Sequence, residues 1–168
     1  WNMGARISID SATLMNKGFE ILEASYLFGL PEDRIRVLVH PQSIVHSMVE
    51  FQDGSVVAQL GTVDMRTPIQ YALTYPHRSP SSRKRLKLEE IGHLDFELPD
   101  SNAFPCLELA RQAGRAGGGA GAILNAADET ALEEFVAGRI GFPAIATVVE
   151  ETLQRLGAPP GESIEAVR

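Results

Sequence analysis

Between Tyr75 and Lys87 the chain carries Pro76, Pro80, three serines and five basic residues, Arg78, Arg83, Lys84, Arg85 and Lys87. Proline removes a backbone donor and fixes φ, so no continuous helix or strand is expected to run through this stretch. An exposed linker is expected, and it separates two unlike parts of the chain. Before it lie three strand-like runs, Arg34 to His40, Ile44 to Phe51 and Ser55 to Leu60, the last two joined by Gln52-Asp53-Gly54. Asp-Gly between two apolar runs is a strong hairpin signal. A two-residue loop would set Phe51 opposite Val56, Val49 opposite Ala58 and Ser47 opposite Leu60. Thr67-Pro68 then opens a short helix to about Thr74. After the linker the pattern is helical throughout, at about 104–114, 120–137 and 142–156, with Gly-rich or Gly-Pro breaks between. The ending, ESIEAVR, has the pattern of another helix start.

The fold class expected is α+β, with a small, mostly antiparallel sheet. The segments are 1–74, a catalytic and dimerisation segment; 75–101, a linker; and 102–168, an incomplete helical bundle. At the N-terminus residues 1–10 are expected to be loop-like, with a brief β-type run from Ile7 to Ile9. Asp10 and Ser11 then offer N-cap chemistry to a helix from Ala12 to about Phe28. Met15, Phe19, Leu22 and Tyr26 make one apolar stripe on that helix.

Composition narrows the function classes. With 22 acidic and 15 basic residues among 168, the net charge is −7, which argues against a dedicated binder of nucleic acid or of an anionic membrane. No run approaches the roughly 20 apolar residues of a membrane-spanning helix. The single cysteine, Cys106, forms no internal disulfide and fits a reducing compartment such as the cytoplasm. The chain opens on Trp1, which reads as a cut inside a longer protein.

The densest chemistry lies in Asp10-Ser11-Ala12-Thr13-Leu14-Met15-Asn16-Lys17-Gly18-Phe19-Glu20. At about 100° per residue, Asn16, Glu20 and Glu23 fall within an arc of roughly 60°, with Thr13 and Lys17 to one side. One helix face thus carries an amide, an ammonium, two carboxylates and a hydroxyl. Ser11 at the helix N-terminus would add free N–H groups and the positive dipole end. This set suits a phosphorylated polyol: Ser11, Asn16 and Lys17 as donors, and Glu20 as hard oxygen for Mg²⁺ or Mn²⁺. The competing reading is a solvated helix face with a Lys17–Glu20 pair of small energetic weight.

The strings ISIDSATLMNKGFEILEASYLF and VLVHPQSIVHSMVEFQDGSVVAQLGTVDMRTPIQYAL resemble the 1-deoxy-D-xylulose 5-phosphate reductoisomerase family. FPCLELA and ILNAADETALEEF are similar to that family's helical C-terminal part, and the likeness runs in order over roughly residues 1–157. The resemblance implies a homodimer that uses NADPH and a divalent metal (Mg²⁺, Mn²⁺ or Co²⁺). It would convert 1-deoxy-D-xylulose 5-phosphate to 2-C-methyl-D-erythritol 4-phosphate in isoprenoid synthesis. It further implies that Ser11, Asn16 and Lys17 contact substrate and that Glu20 touches both metal and substrate. Gly4 would lie near the nicotinamide cofactor, Trp1 and Met3 on a mobile flap, and His46 beside the active site. The family's nucleotide-binding domain, with its Gly-rich phosphate loop, two acidic metal ligands and further substrate contacts, is absent from these 168 residues. This chain alone is therefore expected to be inactive. Two rival readings are a non-catalytic dimerisation module and a phosphate-ester binder without redox chemistry.

Other clusters carry less. His40 and His46 fit no standard zinc spacing. Gly117-Gly118-Gly119-Ala120-Gly121 lacks a preceding strand and meets neither nucleotide-loop spacing, so a flexible helix connection is expected. Asn125, Asp128 and Glu129 share a polar helix face, for which interhelical hydrogen bonding is the simpler account. Cys106 reads as a packed small hydrophobe.

Overall fold

The structure, a computed structural model, describes residues 4–161, 163 and 165. The architecture is α+β, a set of helices and one two-stranded antiparallel sheet, β1-β2. The chain divides into two compact units, residues 38–98 and the remainder. These units follow packing, whereas the boundaries expected at 74 and 101 follow composition and role; the two divisions do not coincide.

The larger unit holds α1 (Ala5–Ala12), α2 (Met15–Phe28), α5 (Cys106–Ala116), α6 (Ala120–Val136) and α7 (Ala144–Leu156). The three C-terminal helices lie within two residues of their expected positions. Their apolar stripes and that of α2 close on one core containing Met15, Leu22, Cys106, Leu109, Ala110, Leu124 and Val149. A second cluster, Ala131, Leu132 and Ile145, extends it along α6 and α7. The α2 stripe faces this core as far as Leu22, while Tyr26 is 75% exposed. Helices α2 and α5 approach closely because Gly18 has no side chain: a Cβ there would lie 2.5 Å from that of Ala110.

Residues 5–12 form a helix, not a loop with a β-type run, and Asp10 and Ser11 stand in its last turn instead of capping the next one. The break comes at Thr13-Leu14. Leu14 adopts φ 61°, a left-handed conformation rare for a bulky residue, and so turns the chain between α1 and α2. Thr13 supplies the cap chemistry expected of Ser11: its hydroxyl accepts from Met15 N at 3.3 Å and donates to Asp10 O at 3.2 Å. The positive dipole end proposed at Ser11 is therefore absent.

The first expected strand, 34–40, also fails to form. Glu32–Arg34 is a single 3₁₀ turn, and Arg111 on α5 takes the carbonyls of Glu32 and Ile35, both at 2.8 Å. The same guanidinium holds the largely buried Glu32 carboxylate at 2.9 Å. Of the run, only Val39 enters a bridge, to Glu97. The Gly117–Gly121 region connects α5 to α6 as expected and also seats the chain's own tail. Gly119 N donates to Pro159 O at 2.7 Å, and a Cβ on Gly118 would lie 2.6 Å from that oxygen.

In the unit 38–98, β1 (Val45–Glu50) pairs with β2 (Val56–Leu60), followed by α3 (Arg66–Thr74) and the short α4 (Leu88–Ile91). The hairpin register differs by one residue from expectation: Glu50 faces Val56, Val49 faces Val57 and Met48 faces Ala58. The cause is a three-residue loop. Phe51 N donates to Ser55 O, Gly54 N to Phe51 O, and Gly54 takes φ 82°. Asp53 fixes the loop by accepting from both Ser55 N and Ser55 Oγ, which lowers its pKa. A second irregularity at His46 shifts the pairing to Val45 with Leu60.

The basic stretch is irregular and largely exposed, yet pinned at points. Gln70 reaches Ser79 O and Pro80 O, Thr62 reaches Lys84 O, and Arg78 lies 4.1 Å over the Tyr71 ring. Among the described residues, none of the fully buried hydrophobics falls within 38–98.

Candidate functional site

An open cleft of about 780 Å³ lies in the larger unit. Its walls include Gly4, Arg6 and Asp10 at α1, Asn16, Glu20 and Glu23 on α2, and Asn125 on α6. Of the expected helix face, Asn16, Glu20 and Glu23 line this concavity; Lys17 does not line it, and Thr13 is buried before α2 begins.

On the α2 wall Glu20 is paired twice. Glu20 accepts from Asn16 Nδ2 at 2.8 Å and from Lys17 Nζ at 2.5 Å, one partner on each carboxylate oxygen. Lys17 and Glu20 are both about half exposed, so the pair adds little stability but stays open to a ligand. The amide, ammonium and carboxylate thus form one preassembled cluster. Gly4 begins the cleft with φ 90° and ψ 162°, a conformation open to glycine and strained for other residues. Its carbonyl accepts from Ser8 Oγ at 2.7 Å.

The other expected residues fall elsewhere. Ser11 is exposed at the end of α1 and does not line the cleft. His46 belongs to the unit 38–98, where a ring nitrogen lies 3.2 Å from Gly61 O. His40 likewise bonds Asp95 O at 2.7 Å and stacks on Phe96. Trp1 and Met3 lie outside the described residues. Among the described residues no three His, Cys, Asp or Glu side chains gather as a metal set. Glu20 fits a hard cation as one oxygen ligand, and this chain offers no complete shell.

One feature of the cleft was not anticipated. Arg6 spans α1 and α6: one terminal nitrogen meets Glu129, the other bonds Asn125 at 3.0 Å, and Nε lies 3.6 Å from Asp10. The polar face shared by Asn125, Asp128 and Glu129 pointed to an interhelical partner, but nothing in the pattern named Arg6, because residues 5–12 did not read as helix.

Residues 60–168 match the family model described as DXP reductoisomerase C-terminal domain, and residues 1–28 match 1-deoxy-D-xylulose 5-phosphate reductoisomerase C-terminal domain. The chain belongs to the 1-deoxy-D-xylulose 5-phosphate reductoisomerase family. It is 56% identical to the reductoisomerase of Pelotomaculum thermopropionicum, covering 100% of this chain and 44% of that protein. With the Ralstonia nicotianae reductoisomerase it shares 54% identity over 99% of this chain and 42% of the relative. The chain spans less than half the length of these relatives. Among solved structures, the Zymomonas mobilis reductoisomerase in complex with NADPH matches with a TM-score of 0.92 and 47% identity, over 97% of this chain and 43% of that one. A reductoisomerase in complex with NADPH, fosmidomycin and magnesium matches at 0.90 and 52%, over 93% and 38%. No helix among the described residues is long and apolar enough to cross a membrane.

Proposed function

We propose that this chain is the catalytic and C-terminal part of an NADPH- and divalent-metal-dependent reductoisomerase. The parent would convert 1-deoxy-D-xylulose 5-phosphate to 2-C-methyl-D-erythritol 4-phosphate in cytoplasmic isoprenoid synthesis. The observation that carries the reading is the Asn16–Lys17–Glu20 cluster at an open cleft, in a chain that resembles this family along its length. Lys17 offers a mobile ammonium to a phosphate or hydroxyl, and Asn16 offers amide hydrogens beside it. Ser11, just outside the cleft, offers a hydroxyl to a substrate extending past it. Glu20 is the ligand this chain contributes to Mg²⁺, Mn²⁺ or Co²⁺, and the metal supplies Lewis-acid polarisation of substrate oxygens when bound. Gly4, without a side chain, leaves room for the nicotinamide to approach, and NADPH supplies the hydride. By the family resemblance, Trp1 and Met3 would serve to exclude water from the substrate, and His46 would be a substrate contact. Fixing the substrate's oxygens in one geometry is what makes a carbon–carbon rearrangement intramolecularly accessible.

The test is Glu20→Gln in the full-length protein that carries this chain. Metal-dependent NADPH consumption with 1-deoxy-D-xylulose 5-phosphate should fall by orders of magnitude, while circular dichroism and the melting temperature stay put. Unchanged turnover and metal dependence would make Glu20 a surface carboxylate and defeat the assignment.

A second reading has its own observation. Val49, Phe51, Val56 and Val57 on the hairpin are each more than half exposed, and an isolated two-stranded hairpin is marginal in water. Cover from a second copy of this chain would make the segment a homodimerisation module, whether or not it catalyses.

A further inference from the structure

Asp10 stands in the last turn of α1 and Asp128 in the middle of α6. Asp128 is wholly buried and Asp10 nearly so. Neither Asp128 oxygen, nor Asp10 Oδ1, meets a hydrogen-bond donor on another residue. Yet the two carboxyls lie within hydrogen-bonding reach of each other. Two carboxylates accept only and cannot bond; one carboxyl and one carboxylate can.

The surrounding charges do not remove the conflict. Arg6 is the cation acting on the pair, 3.6 Å from Asp10 through Nε, but its terminal nitrogens are committed to Glu129 and Asn125. One guanidinium therefore faces three carboxyl groups, Asp10, Asp128 and Glu129. From α5 the Cys106 thiol also faces the pair, and burial pushes it up to about 11, so it stays neutral and contributes no charge.

We propose that Asp10 and Asp128 hold a single proton between them and act as a latch, joining α1 to α6 while the proton is present and loosening when it leaves. Burial, with the Asp10 charge beside it, pushes Asp128 up to about 7; Asp10 is raised too, by its own burial. The native state therefore keeps a proton that the unfolded chain has already released. The stabilisation is fully present below the ordinary aspartate range and is lost as pH rises toward and through about 7. The helix so held carries Arg6 and Asp10 into the cleft wall and begins at Gly4. The proposal does not rest on the reductoisomerase reading, since neither carboxyl belongs to the Asn16–Lys17–Glu20 cluster.

Carboxyl-carbon NMR of the 168-residue chain, labelled at aspartate and titrated from pH 4 to 9, tests the shared proton without any variant. One aspartate should titrate near pH 7, and Asp128→Asn should abolish that step. Every aspartate ionised by pH 5 in the folded chain would overturn the proposal. Amide hydrogen exchange tests the latch itself. Protection of residues 9–12, corrected for intrinsic rate, should drop between pH 6 and 8 in the wild type and stay level in Asp128→Asn. Should that variant fail to fold, Asp10→Asn serves the same comparison. Level protection in the wild type would defeat the latch even if the proton is shared.

Discussion

Replacing Gly18 by alanine sets two known effects against each other. In an ordinary helix the change removes backbone freedom from the unfolded chain and stabilises by about 1 kcal/mol. Here the new Cβ would sit 2.5 Å from the Ala110 Cβ. Ordinary contact needs 3.4 Å or more, and both atoms are borne directly on helix backbones, so α2 and α5 must separate by about 1 Å. Overpacking of this kind costs about 1–3 kcal/mol, and Met15, Leu22 and Leu109 would loosen with it. The net expectation is a loss of up to about 2 kcal/mol, read as a melting temperature lower by up to roughly 8 °C for a chain of this size. Ala110→Gly in the same molecule moves the methyl group from one helix to the other and should restore most of the loss. Urea unfolding of both single variants and the double variant gives the coupling directly. A Gly18→Ala chain more stable than wild type, with additive effects in the double variant, would refute the close approach of α2 and α5.

The Cys106 thiol, 1% exposed with its pKa pushed up to about 11, should not react with an aromatic disulfide reagent at pH 8 until the chain unfolds; rapid stoichiometric labelling of the native protein would contradict its burial. The hairpin should drive self-association: sedimentation at micromolar concentration should show species larger than 18.2 kDa, and lysines at Val49 and Val57, which face each other, should disperse them. A clean wild-type monomer across that range would end the homodimer reading.

What could be read from the chain and what could not divide along physical lines. The three C-terminal helices were legible because 3.6-residue periodicity and Gly-Pro breaks are local signals. So was the face of Asn16, Glu20 and Glu23, since helical spacing alone sets it. Helix α1 was not legible. ARISIDSA alternates apolar and polar residues as a strand does, and it becomes helical where Arg6 pairs with Asn125 and Glu129, more than a hundred residues away. The 34–40 run has the Val and Ile content of a strand, but Arg111 takes the Ile35 carbonyl within it and the Glu32 carbonyl just before it. The hairpin is legible and its register is not, because Asp-Gly announces a turn without saying whether two or three residues close it.

The cleft also bears on the role of the C-terminal helices. A bundle that merely supported a catalytic segment would leave the cleft to α1 and α2. Gly118, Gly121 and Asn125 line it as well, and Asn125 does so while holding Arg6. The α5–α6 turn that contributes Gly118 is itself seated against Pro159, so the end of the described chain bears on the shape of the cleft wall. Residues near the start of the sequence thus acquire their geometry only when residues 106–160 are folded around them. On the proposed reading, a change on α6 that cuts the Arg6 contacts should therefore alter ligand binding at Glu20 while leaving Asn16, Lys17 and Glu20 themselves unchanged. An assembly platform with no chemistry gives no reason for that coupling.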